Sequence, residues 1–265
     1  MNDIYRFATR RVLYLVAFVV FVGIFSVPVS AQENYLNPET WTSPNGIQGT
    51  FFTALILIAA TAAPAFIMMT TSFTRIFVVL GILRHGFGTQ GLPGTQILAS
   101  LALFMTFFIM YPVYLEVYEK AVVPYQNEEI DAQTAMESGL KPLRGFMLRQ
   151  LELTGNTDEI WLFWRHSSTP PDESKIEQYT GRDVPTHVLI PAFMLSELKT
   201  AFLIGVQLLL PMLAIDLLVS SVLVAMGMYM LPPTMISLPF KLLVFVLADG
   251  WRLVVEMLLF SFTGA

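Results

Sequence analysis

Apolar residues in this chain come in long, nearly unbroken runs, with little of the strict alternation of a half-buried strand. GTFFTALILIAATAAPAFIMM (49–69) is long enough to cross a bilayer as a helix. Apolar character resumes at Phe73 and continues to Leu83. A straight helix from Thr50 to Arg84 would be about 52 Å long, too long for a bilayer, so it is expected to bend or to be partly covered by protein. Pro64 is the expected kink. Arg75, Arg84 and His85 then read as a short basic connection, and TQILASLALFMTFFIMYPVYL (95–115) as a second span. The last hundred residues hold two further runs, 188–225, interrupted by Pro191 and Pro211, and 234–262. The pattern predicts an all-α integral membrane protein with two kinked helical hairpins, 49–115 and 188–265, on either side of a polar insert, 116–187.

The insert carries its own helical signals. Two helices are predicted, at 131–152 and 157–165, the first with Leu140, Leu143, Phe146, Met147 and Leu151 on one buried face. SSTPPDESK (167–175) is rich in turn formers. At the other end of the chain, residues 1–31 combine Arg6, Arg10 and Arg11, an apolar stretch, and Val29-Ser30-Ala31, the pattern of a cleavable signal peptide. Cleavage would leave Gln32 first, and 32–48 as an exposed extension.

Composition agrees with the runs. Only 13% of residues are charged against about 25% in soluble domains, and mean hydropathy is +0.62. The net charge of −5 is concentrated in 111–187, where 13 acids face 7 bases. Nothing resembles a basic nucleic-acid patch. There is no cysteine, which excludes disulfides and cysteine–metal sites. With the chain entering from outside, the 70–94 connection falls inside, in accord with the preference of short cytoplasmic loops for Lys and Arg. The acidic insert and the C-terminus are then outside.

Candidate chemistry is sparse. GFGTQG (86–91) matches G-x-G-x-x-G, but a dinucleotide site needs that turn to open a helix, and Pro93 and Gly94 follow. His85, His166 and His187 lie in separate segments without metal-ligand spacing. No catalytic group, metal site or cofactor is legible, and no enzyme is expected. Charges inside the apolar runs say more, because each costs about 2.5–3.5 kcal/mol at mid-span. In an antiparallel hairpin, Asp216 and Lys241 lie equidistant from the tip and are placed to pair. Glu197 and Lys199 point different ways on a helix and need different partners. Asp249, Arg252 and Glu256 share one helix face, as an ion-pair ladder would.

The hairpin tip is MGMYMLPP (226–233). Spacing alone fits methionines that fill gaps in a core. Pro232 and Pro233, however, exclude a helical loop, and non-helical backbone at membrane depth must be buried in protein or line a cavity. Around a cavity, flexible thioethers can close against one another and re-form around varied cargo.

MMTTSFTRIFVVLGILR (68–84), TFFIMYPVY (106–114), IPAFMLSELKTAF (190–202) and MGMYMLPPTMISLPFKLLVFVLADGW (226–251) closely resemble the FliP family of flagellar export-gate proteins. The resemblance implies a non-enzymatic gate subunit that forms a pentamer with itself and assembles with FliQ and FliR. It also implies an assembly that opens towards FlhA and FlhB in the inner membrane at the flagellar basal body, passes unfolded flagellar proteins, and holds its insert in the periplasm. Such members have kinked hairpins packed on other subunits and partly raised from the bilayer. The family's gate loop maps to Met228, Tyr229 and Met230, with Met226 just before; Tyr229 departs from the usual run of three methionines. The family's required acid and base map to Asp216 and Lys241, and Glu197 and Lys199 fall in a shared block. Two other classes fit the runs: a secondary transporter, which predicts an inverted repeat, and a non-conducting assembly scaffold of the basal body.

Overall fold

The computed structural model describes residues 44–88, 93–172, 181 and 183–264. The signal peptide expected at 1–31, residues 32–43 of the extension, and parts of GFGTQG and SSTPPDESK lie outside the described residues. Among the described residues all regular structure is helical: α1 Pro44–Met69, α2 Phe73–Phe87, α3 Thr95–Val117, α4 Val123–Gln126, α5 Ala132–Leu153, α6 Asp158–Arg165, α7 Thr186–Ala225, α8 Pro233–Leu247 and α9 Gly250–Thr263. A π-helical turn, Tyr118–Val122, joins α3 to α4. Residues up to Phe66 and residues from Ile67 onward form two compact units. The first contributes α1 as far as Phe66, whose described large apolar side chains, such as Ile58, are exposed.

The over-long first run is interrupted, but not at Pro64, which lies within α1. The helix stops at Met69 because Thr71 and Thr74 donate their hydroxyls to the carbonyl of Met68, each at 3.3 Å, and so meet acceptors that a continuing helix would have bonded. The second run, 234–262, is also interrupted. Asp249 adopts a left-handed conformation with φ 50° and separates α8 from α9. Gly250 follows because its Cα faces the Phe245 ring, where a Cβ would collide. Among the described residues only Thr95–Gln126 and Thr186–Ala225 are single helices long and apolar enough to cross a membrane, and the pair on either side of 70–72 could make a third span. At 1.5 Å per residue α7 is about 60 Å long, twice a hydrocarbon core, so much of it must lie outside lipid.

The second unit is built on α2. Ile76, Val79 and Leu80 are wholly buried and Leu83 nearly so. Its main neighbour is α7, and their contacts rise together along both chains: Thr74 with Met194, Arg75 with Glu197, Ile82 with Gly205, Gly86 with Leu209. The two helices are therefore parallel. This corrects the reading of 70–94 as a connection. Residues 73–87 form a core helix, and Arg75, placed in that connection by its charge, is fully buried at the level of Glu197. Only the segment after Phe87 joins α2 to α3, where Arg84 Nη1 donates to Thr95 Oγ1 at 2.6 Å.

The insert helices begin and end within a residue of the predicted bounds. Phe146, Met147 and Leu151 are buried and Leu143 partly so, while Leu140 is exposed, since the buried face of α5 narrows towards its N-terminus. The C-terminus of α5 is stopped by Gly155, and Asn156 then donates to the hydroxyls of Thr154, Ser196 and Thr200, fastening the insert to α7.

Candidate gate loop and its buried ion pairs

Two ion pairs occupy two levels of the α7 bundle. At 1.5 Å per residue they lie about 28 Å apart along α7. In the α7–α8 hairpin, Lys241 Nζ donates to Asp216 Oδ2 at 2.7 Å and to the Gly86 carbonyl at 2.8 Å. Ser237, one turn before Lys241 on α8, donates to Asp216 Oδ1 at 2.5 Å. Lys241 is 3% exposed and the Asp216 side chain 26%. Each charge thus meets its opposite, and a hydroxyl and a helix-end carbonyl supply the remaining bonds, which a buried pair requires.

The second pair is more enclosed. Arg75 Nε donates to Glu197 Oε2 at 2.9 Å and Nη2 to Oε1 at 2.5 Å, with both side chains fully buried. Nη2 also reaches Gln150 Oε1 at 3.1 Å, and Nη1 reaches the Ser261 carbonyl at 2.6 Å and its hydroxyl at 3.1 Å. The guanidinium lies 4.0 Å from the Phe262 ring centre. One side chain therefore joins α2, α5, α7 and α9. Gln150 completes the knot by donating to the Phe262 carbonyl at 3.1 Å. Sequence reasoning singled out Glu197 but missed Arg75 as its partner; a lone base beside a long apolar run was the available signal.

Lys199 takes the separate partner expected of it, Glu159 of α6, at 3.1 Å and partly in solvent. Of the proposed ladder, Arg252 and Glu256 pair at 2.8 Å on an exposed face, while Asp249, at the left-handed break, acts on Arg252 through its charge without a direct ion pair.

The loop between α7 and α8 starts at a defined point. Gly227 has φ 74°, its N–H bonds Val224 O at 3.0 Å, and Met228 N–H bonds Leu223 O at 2.9 Å. These are the paired bonds of a glycine-terminated helix end. Pro232 is extended and Pro233 begins α8 at the position where a missing N–H costs nothing. Between them the loop side chains face outward: Met226 is 66%, Met228 38%, Tyr229 76% and Met230 96% exposed. A short, braced loop thus presents Tyr229 and Met230 almost uncovered by its own chain, with Met226 and Met228 partly covered beside them.

The described part of GFGTQG, residues 86–88, is placed opposite to the requirement of a phosphate site. Gly86 lies in the last turn of α2 and Gly88 caps its C-terminus, the negative end of the helix dipole. Among the described residues no group of three or more His, Asp or Glu side chains could hold a metal ion.

The FliP family model matches residues 56–258. The flagellar biosynthetic protein FliP of Pectobacterium carotovorum is 44% identical over 244 residues, 91% of each chain. That of Bacillus subtilis is 40% identical over 231 residues, 87% of this chain and the whole of that protein. That of Buchnera aphidicola from Acyrthosiphon pisum is 45% identical over 224 residues, 84% of this chain and 55% of that protein. With most of its length matched, a span that includes both buried ion pairs and the methionine loop, the chain belongs to the FliP family.

Proposed function

We propose that this chain is a channel-forming subunit of the flagellar type III protein export gate, in which copies surround a conduit and residues 226–232 form its constriction. Met230 carries the reading. Its side chain, 96% exposed, stands at the tip of a hairpin that a buried ion pair holds in place. Non-helical backbone at membrane depth must be buried in protein or line a cavity, and copies of the same loop around an axis would supply both, with side chains of matching chemistry.

In this reading the subunit does no chemistry itself and lies in the inner membrane, with the 116–187 insert in the periplasm and the methionine loop towards the cytoplasm. The parallel course of α2 and α7 supports that orientation, since both helices then run inward and Arg84 and His85 fall at the cytoplasmic end. A pentamer joined to FliQ and FliR, and facing FlhA and FlhB, would bury the apolar surface that α7 and α8 now expose. The common direction of the α2–α3 and α7–α8 hairpins weighs against an inverted-repeat transporter.

A photocrosslinker at Met230, with an export substrate stalled by a folded C-terminal fusion, tests the conduit. Adducts to the substrate are expected from position 230 and none from Phe104, an exposed residue on α3. Adducts from neither, with assembly intact, would favour a scaffold role.

A further inference from the structure

The bond from Lys241 to Gly86 joins the gate hairpin to a different helix. The last four carbonyls of a helix have no intrahelical donor, and the macrodipole concentrates negative charge there. At the end of α2, His85 O accepts the N–H of Gly88 at 3.1 Å, while Gly86 O accepts the Lys241 ammonium at 2.8 Å. Next to it, Phe87 meets Phe245 edge to face at 4.9 Å, one helical turn beyond Lys241 on α8. Two adjacent residues of α2 thus grip α8 at two points.

The other side of Gly86 leaves no space. A Cβ there would lie 2.6 Å from Leu209 Cδ2, closer than carbon atoms approach. A methyl group displaces the tip of Leu209, and with Met212 Cγ only 3.6 Å from the same position a larger, branched side chain moves the end of α2 away from α7 and takes the carbonyl from Lys241. Gly205 meets the same helix from α7, with a Cβ at 2.5 Å from Ile82 Cδ1 and 2.9 Å from Cγ2, so glycines on both helices set how closely α2 and α7 approach.

We infer that the end of α2 is the third anchor of the gate, with Gly86 as a positioning residue whose carbonyl, together with Asp216, holds Lys241 and thereby fixes α8 and the 226–232 tip in the closed position. The inference rests on the gate reading and adds to it the element that sets the gate. It gives the first glycine of GFGTQG a purpose unrelated to nucleotides: close helix contact combined with an accessible carbonyl.

The test is small-ion leak through the complete gate complex in membrane vesicles. Gly86→Val is expected to raise leak about tenfold, as Lys241→Met does, and to add less than about twofold in the Lys241→Met background, because the two residues act as one unit. Gly81→Val, on the same helix with open space at its Cβ position, should stay within about twofold of the parent. Adding Leu209→Ala to Gly86→Val makes room for the side chain and should lower the leak again; this pair carries the test if Gly86→Val alone does not assemble. An assembled Gly86→Val gate that does not leak, full multiplication with Lys241→Met, or a Gly86→Val/Leu209→Ala pair that leaks like Lys241→Met would overturn the inference. Combined replacement of Met228, Tyr229 and Met230 by Ala separates the levels: a leak there without one at Gly86→Val removes only the anchor, and no leak from either removes the gate reading itself.

Discussion

Arg75 and Glu197 meet through two parallel hydrogen bonds, 2.9 and 2.5 Å long, at a depth where neither side chain touches solvent. They lie on parallel helices, far apart in sequence, and bring α5 and α9 to the same point through Gln150 and Ser261. Removing one partner leaves a buried charge uncompensated. Arg75→Ala or Glu197→Ala is expected to cost about 3–5 kcal/mol, and Arg75→Met with Glu197→Leu markedly less than either. Arg75→Lys should resemble Arg75→Ala more than wild type, since an ammonium cannot make the fork. Denaturant titration of the detergent-solubilised complex measures all four; a double variant no better than the singles contradicts the electrostatic account.

Asp216 depends on Ser237 as well as on Lys241. Ser237→Ala leaves Oδ1 without its 2.5 Å donor and is expected to cost about 1–3 kcal/mol, a partial loss beside that of Asp216→Ala or Lys241→Ala. In a motility assay the two charge variants should not swim, and Ser237→Ala should swim slowly. Fully motile Asp216→Ala or Lys241→Ala cells would remove the pair from the mechanism.

Gly227 fixes where α7 ends. Its φ of 74° is strained for any residue with a Cβ, so Gly227→Val is expected to cost about 1–2 kcal/mol locally and to displace the tip. Gly81, which has nothing within 4 Å of its Cβ position, is the control. Equal leak from Gly227→Val and Gly81→Ala gates would show that the helix end does not set the loop.

Asp131 caps α5 by accepting the Thr134 N–H at 3.2 Å. Hydrogen bonding with Thr134, through its side chain first and its backbone second, holds the carboxyl below its ordinary range. The stabilisation is therefore present above the ordinary carboxylate value and lost as pH falls through the lower folded value. Exchange of the Thr134 amide should accelerate across that acid window in the parent, and Asp131→Asn should abolish the pH dependence. An unchanged profile in Asp131→Asn would assign the titration elsewhere.

What could be read in the sequence follows from how far each feature reaches along the chain. The long helices declare themselves because their apolar runs are contiguous. Asp216 and Lys241 are located by arithmetic, because antiparallel neighbours joined by a short loop share a midpoint. Arg75 and Glu197 are not, because parallel helices share none and 122 positions separate them. For the same reason Arg75 was read as a loop base. The break at 70–72 is visible as the polar step Thr70-Thr71-Ser72 between two apolar stretches, although Pro64 is the expected kink; the break at Asp249 is not, because it depends on the fit of Gly250 against Phe245 inside an apolar run. The outward stance of the methionine loop is a property of the fold, while the proposed constriction depends on copies of the chain meeting.

That meeting can be measured directly. The chain has no cysteine, so Met230→Cys introduces a single thiol at the most exposed point of the loop. Mild oxidation of the assembled complex in native membranes should join the introduced thiols of neighbouring copies into disulfide dimers, while Phe104→Cys, at a position 76% exposed on α3, should not cross-link. No dimer from position 230, with assembly and surface labelling of the thiol intact, would mean that the tips do not converge, and the constriction would have to lie elsewhere.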